Sequence, residues 1–102
     1  MALLKRFGEG LQRARKQMGL TQEDFSEVSS RTYLSSLERG LKAPTIIKIE
    51  QHASVIGVHP VALLALAYLP DAKEERQDFF TKVYSDLALL NRSAETFDAL
   101  KQ

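Results

Sequence analysis

Arg31, Thr32, Ser35 and Ser36 fall within the eight residues 31 to 38, whose apolar members Leu34 and Leu37 are three apart. In a helix that spacing turns both leucines inward and sends the guanidinium and the three hydroxyls to the other side. The outward set holds one cation, three hydroxyls and no carboxylate. Such a face can bond phosphate oxygens and base edges, and the Arg31 guanidinium has the fork geometry to bond a guanine's O6 and N7 together. Taken singly, the hydroxyls of Thr32, Ser35 and Ser36 also suit a plain solvated helix face. Other chemistry is poorly supplied. The chain has no cysteine, its only imidazoles are His52 and His59 at unrelated positions, and it lacks a glycine-rich phosphate loop, since Gly8 and Gly10 follow no strand. Catalysis and cofactor binding are therefore not expected.

Residues 31 to 38 make too short a helix to stand alone, so other elements must hold it. Leu4, Phe7, Leu11, Ala14 and Met18 step by three and four, one face of a helix over 2–18. Gly8 and Gly10 weaken that helix by roughly 1 kcal/mol each, so packing must hold it together. Gly19–Leu20, Gly40–Leu41 and Gly57–Val58 each read as a helix stop with its apolar follower. Thr21 with Asp24 reads as a capping box, Ser30 and Thr45 as N-caps, and Pro60 as a first helical residue. The punctuation predicts helices over 2–18, 22–28, 31–39, 46–56 and 60–68. A new stripe, Phe79, Val83, Leu87 and Leu90, predicts a sixth over 72–90, and Ser93 opens a seventh through Leu100 that carries Phe97. No segment alternates at period two for long enough to suggest a sheet.

A chain of 102 residues with 44% hydrophobic content is one domain, or one domain with an appendage. The net charge of +1 excludes little, but its distribution is uneven. Residues 1–44 hold eight Lys/Arg against five Asp/Glu, and residues 71–102 hold five against seven. The longest apolar run, Val61–Leu69, is well short of the roughly 20 residues a membrane span needs, and the start lacks a signal-peptide pattern. These features, with the absent cysteines, predict a soluble cytoplasmic protein that does not engage membranes.

The segments RARKQMGLTQEDFSEV, YLSSLERG and APTIIKIEQHASVIGVHPVALLALA resemble the Cro/cI-type, or XRE-type, helix-turn-helix domain of bacterial and phage repressors. The resemblance covers roughly residues 3–69. It implies an all-α fold: a compact five-helix domain over 1–69 followed by a C-terminal helical extension over 70–102. It also implies sequence-specific binding of double-stranded DNA. By position, Gln22 matches a glutamine that touches a phosphate and braces the recognition helix, and Arg31, Thr32 and Ser36 match the main base-reading positions, with Ser35 adjacent. Lys42 and Thr45 match positions along the phosphate backbone. Arg15 and Glu38 match an internal salt bridge. The chain departs from the pattern twice. Only VSS separates the second and third helices, about two residues fewer than usual and without the turn glycine, so either the second helix ends early or the two join at an altered angle. His52 stands where the family mostly has leucine, as a core-edge histidine or as a ligand or sensor.

Family members commonly bind near-palindromic operators as dimers. The apolar surface Phe79, Phe80, Val83, Tyr84, Leu87 and Leu90 lies outside the family domain and is a candidate dimer interface. The alternative is that the sixth and seventh helices fold back on helices of their own chain. As function, the resemblance implies a transcriptional regulator, most simply a repressor acting as a homodimer. The competing reading is a protein-interaction module, such as an antitoxin that holds a protein partner through its C-terminal helices.

Overall fold

The computed structural model describes residues 2–92. It consists of α1 (Ala2–Gln17), a 3-10 turn (Gln22–Phe25), α2 (Arg31–Glu38), α3 (Ile46–Ile56), α4 (Pro60–Ala65), a second 3-10 turn (Lys73–Glu75) and α5 (Arg76–Leu90). The described residues contain no strand, so the fold is all-α. The chain divides into two compact units, Met1–Tyr68 and Leu69–Gln102. The helix expected after Ser93 lies outside the described residues.

The helix boundaries follow from the predicted caps. Gly19, Gly40 and Gly57 all take positive φ, at 71°, 73° and 90°, and the amides of Leu20, Leu41 and Val58 return to the carbonyls of Arg15, Ser36 and Ala53. Ser30 and Thr45 accept from the amides of Tyr33 and Lys48 at 3.0 and 3.1 Å. The Asp24 carboxylate accepts from the Thr21 amide at 2.7 Å, in the expected capping box. His59 caps α4 through Nδ1, which accepts from Val61 N–H at 3.0 Å beside Pro60.

Three expected helices are shorter than their apolar patterns. The segment 22–28 forms only the 3-10 turn, because the amides of Val28 and Ser29 both turn back to the Phe25 carbonyl. The chain must reverse before Ser30 and has no residues left to complete an α-helix. α4 stops at Ala65, and the amides of Leu66, Ala67 and Tyr68 tighten to carbonyls three residues back. The segment 72–90 opens with a 3-10 turn before α5 begins. Met18, placed on the inner face of α1 by spacing, is 55% exposed, since α1 has already ended at Gln17.

In the first unit the core is built from Phe7, Leu11, Phe25, Leu34, Leu37, Ile49, Ala53, Ile56, Leu63 and Ala67. Every helix and the 3-10 turn contribute, so each short element is stabilised by apolar area buried on the others rather than by its own length. In the second unit α5 carries Phe79 and Phe80 with ring centroids 5.0 Å apart, edge to face, and an exposed Lys82–Asp86 pair at 2.9 Å. The Arg76 guanidinium ties down the turn before it, donating to the carbonyls of Pro70 and Asp71 at 3.0 and 3.3 Å.

Candidate nucleic-acid interface

α2 sits with Leu34 and Leu37 buried and Arg31 and Thr32 exposed, as their spacing requires. Gln22, Arg31, Thr32, Ser35 and Ser36 line one open depression, together with Arg39. Its rim thus carries two guanidiniums, three hydroxyls and one amide, with no carboxylate. Arg39 was not singled out from the sequence, although Arg31, Ser35 and Arg39 are four apart and form one stripe of the helix face. At eight residues α2 is about 12 Å long, matching a major groove about 12 Å wide.

Lys42 and Thr45 are not in this depression. Both are exposed on the loop joining α2 to α3, where Thr45 caps α3 and the Lys42 ammonium lies 5.6 Å from the centroid of the Tyr33 ring.

The interface is held by a buried ion pair beneath it. Arg15 of α1 donates from Nε to Glu38 Oε2 at 2.7 Å and from Nη2 to Oε1 at 3.1 Å, a bidentate pair whose side chains are 10% and 2% exposed. Nη1 donates to the Leu20 carbonyl at 3.0 Å, so the same guanidinium also fixes the end of α1. Gln22 Nε2 donates to Glu38 Oε1 at 3.2 Å. Glu38 lies in the last turn of α2, where the helix dipole disfavours an anion. The hydrogen bond from Arg15 offsets this and holds the Arg15 pKa above its ordinary value, against the opposing effect of burial. Arg15 and Gln22 thus both bond the one Glu38 carboxylate.

His52 is buried, 1% exposed. Its pKa lies below the ordinary 6.5, chiefly because burial penalises the cation; the Lys48 carbonyl opposes this, the Lys48 ammonium adds to it, and Glu38 on α2 opposes it. The imidazole is therefore neutral at pH 7. The unfolded chain takes up a proton at this site before the folded one does, so stability is complete above pH 6.5 and declines as pH falls below it. Urea unfolding at pH 7.5 and 5.5 is expected to show this decline, and His52→Leu to flatten it while His59 remains in both proteins.

A tight turn leading into a short helix with a clear polar face, seated on a longer helix by a buried ion pair, is the geometry of a helix-turn-helix domain. A helix-turn-helix family model matches residues 11–63, just over half of the chain. A Sinorhizobium fredii protein named "Uncharacterized HTH-type transcriptional regulator y4dJ" is 42% identical over 66 residues, which are 63% of this chain and 86% of that relative. The chain belongs to the Cro/cI-type helix-turn-helix family.

Proposed function

We propose that this protein is a sequence-specific DNA-binding transcriptional regulator, acting in the cytoplasm as a repressor that binds a near-palindromic operator as a dimer. The observation that carries the reading is the depression on α2, where Gln22, Arg31, Thr32, Ser35, Ser36 and Arg39 converge with no anion among them. Duplex DNA presents phosphates along its ridges and donor and acceptor edges in its major groove, and this set complements both. Family membership supports the regulator and sets catalysis aside. No helix among the described residues is long and apolar enough to cross a membrane.

In this reading residues 1–69 are the DNA-binding domain and 70–102 an extension that dimerises. Phe80, Val83, Tyr84, Leu87 and Leu90 are all exposed on α5, with Tyr84 and Leu90 at 77% and 79%, and Phe79 is half-buried. α5 has no buried residue. An apolar face of that size suits a second copy related by two-fold symmetry. The test is selection of duplexes from a random pool at about 150 mM salt, where non-specific phosphate binding is weak. Enrichment of a two-fold symmetric site is expected. An unsymmetric site together with a monomeric mass in sedimentation, with and without DNA, would overturn the dimer; failure to enrich any site would overturn sequence reading.

The substitutions separate by role. Arg31→Ala is expected to cost about 1–3 kcal/mol on the selected site and to relax preference at one base pair, whereas Lys42→Ala weakens all duplexes alike and lowers the salt slope by about one unit. Titrations of both variants on the selected and a scrambled duplex check this.

The exposed face of α5 also favours a second reading, an interaction module such as an antitoxin that holds a protein partner. That reading predicts that Arg31→Ala leaves DNA binding unchanged while Phe80→Ala abolishes a complex.

A further inference from the structure

Val28 and Ser29 form the bend between the first 3-10 turn and Ser30, the residue that caps α2. No residue from Ser26 to Ser30 takes a positive φ, so the reversal is made without a left-handed residue. One carbonyl and one hydroxyl of the bend are held by one neighbouring helix. Lys48 of α3 donates from Nζ to the Val28 carbonyl at 2.5 Å. One turn along α3, His52 Nε2 lies 3.1 Å from the Ser29 hydroxyl. The other ring nitrogen, Nδ1, lies 2.7 Å from the Lys48 carbonyl. A carbonyl can only accept, so Nδ1 carries the proton, and in the neutral ring Nε2 accepts from Ser29 Oγ–H.

The imidazole is also fixed in plane. It stacks on Phe25 of the 3-10 turn, with centroids 5.6 Å apart and planes 22° apart, and meets the Tyr33 ring of α2 at 6.3 Å. Tyr33 in turn lies 5.7 Å from the Lys48 ammonium. One ring thus touches the 3-10 turn, the bend and the first turn of α2. The sequence offered the short VSS link and the unusual His52 as two separate departures. In space they are partners in a hydrogen bond.

We propose that His52 is a positioning residue for α2: by accepting from Ser29 it clamps the bend and fixes the direction in which α2 presents Arg31 and Thr32. A leucine would fill much of the same volume but would leave the Ser29 hydroxyl and the bend unheld. Core packing alone therefore does not account for an imidazole here, because burying its second nitrogen is costly unless a donor meets it.

The test uses the full chain with Ser29→Ala, His52→Leu, the double variant and His52→Gln, whose amide can reach the same hydroxyl. Two measurements are made on each: amide hydrogen exchange at Ser29, Tyr33 and Leu34 in the free protein, and affinity for the selected duplex against a scrambled one. Ser29→Ala, His52→Leu and the double variant are each expected to speed exchange and lower specific affinity by a similar factor, about three- to tenfold, with scrambled-duplex affinity unchanged. His52→Gln is expected to stay closer to the wild-type chain than His52→Leu does. Additive effects in the double variant, unchanged exchange in His52→Leu, or a glutamine variant no better than leucine would each overturn the clamp. The binding measurement rests on the DNA-binding reading. If the wild-type chain selects no duplex, that reading fails, and the exchange measurement still decides the clamp by itself.

Discussion

Glu38→Ala is expected to lower the stability of the first unit by about 3–5 kcal/mol, because it leaves the buried Arg15 guanidinium without its anion. The pair is bidentate, with bonds of 2.7 and 3.1 Å and side chains 10% and 2% exposed, so solvent cannot replace what is lost. Gln22 loses its acceptor in the same step. At about 4–8 °C per kcal/mol for a domain of this size, Tm is expected to fall by at least about 12 °C. Total stabilities of about 5–15 kcal/mol make this enough to unfold much of a marginal domain. Exchanging both partners, Arg15→Met with Glu38→Leu, is expected to cost less than Glu38→Ala alone, since the penalty lies in the orphaned charge. Thermal unfolding followed by circular dichroism ranks the two variants. A single variant milder than the double would show that the ion pair matters for its contacts and not for its buried charge.

Gly8→Ala carries the second large effect, and its sign opposes helix propensity. Gly8 lies inside α1, where alanine is ordinarily favoured by roughly 1 kcal/mol. A Cβ here would stand 2.3 Å from the Leu37 carbonyl oxygen and 2.6 Å from that of Glu38. Both are backbone atoms of the last turn of α2, and backbone cannot swing aside as a side-chain tip can. The helices must separate, which costs about 2 kcal/mol or more after the propensity gain. Separation also loosens Phe7 and Leu11 against Leu34 and Leu37, and shifts the C-terminal end of the interface helix. Gly19→Ala makes a useful contrast: it meets nothing within 4 Å, and its φ of +71° exacts only the left-handed cost of about 1–2 kcal/mol. Urea unfolding of the two variants checks the ordering. A Gly8→Ala protein more stable than the wild-type chain would contradict so close an approach.

Both effects bear on one helix. α2 is too short to define its own position, so Arg15 anchors its C-terminal end, Gly8 lets α1 lie directly on it, and Lys48 and His52 hold the bend that feeds its start. These contacts set the direction in which α2 presents Arg31, Thr32, Ser35 and Ser36.

The amino-acid sequence by itself determined the helix ends that carry caps, because caps act within a few residues. Ser30, Thr45 and Pro60 mark starts, Gly19, Gly40 and Gly57 mark ends, and α3 matches its expected span of Ile46–Ile56. It also determined which face of α2 turns inward, since the spacing of Leu34 and Leu37 admits one orientation in a helix. Tertiary structure alone decided the rest. Gly8 read as a weakness in α1 until the carbonyls of Leu37 and Glu38 lay against it, and Arg39 carried no sequence signal until it shared a depression with Arg31. The segment 22–28 read as a helix, yet only its first turn forms. His52 and Ser29 are 23 residues apart, and no local rule links them. Caps and periodicity are short-range and survive in the sequence; close approaches and buried partners are long-range and exist only once the helices have packed.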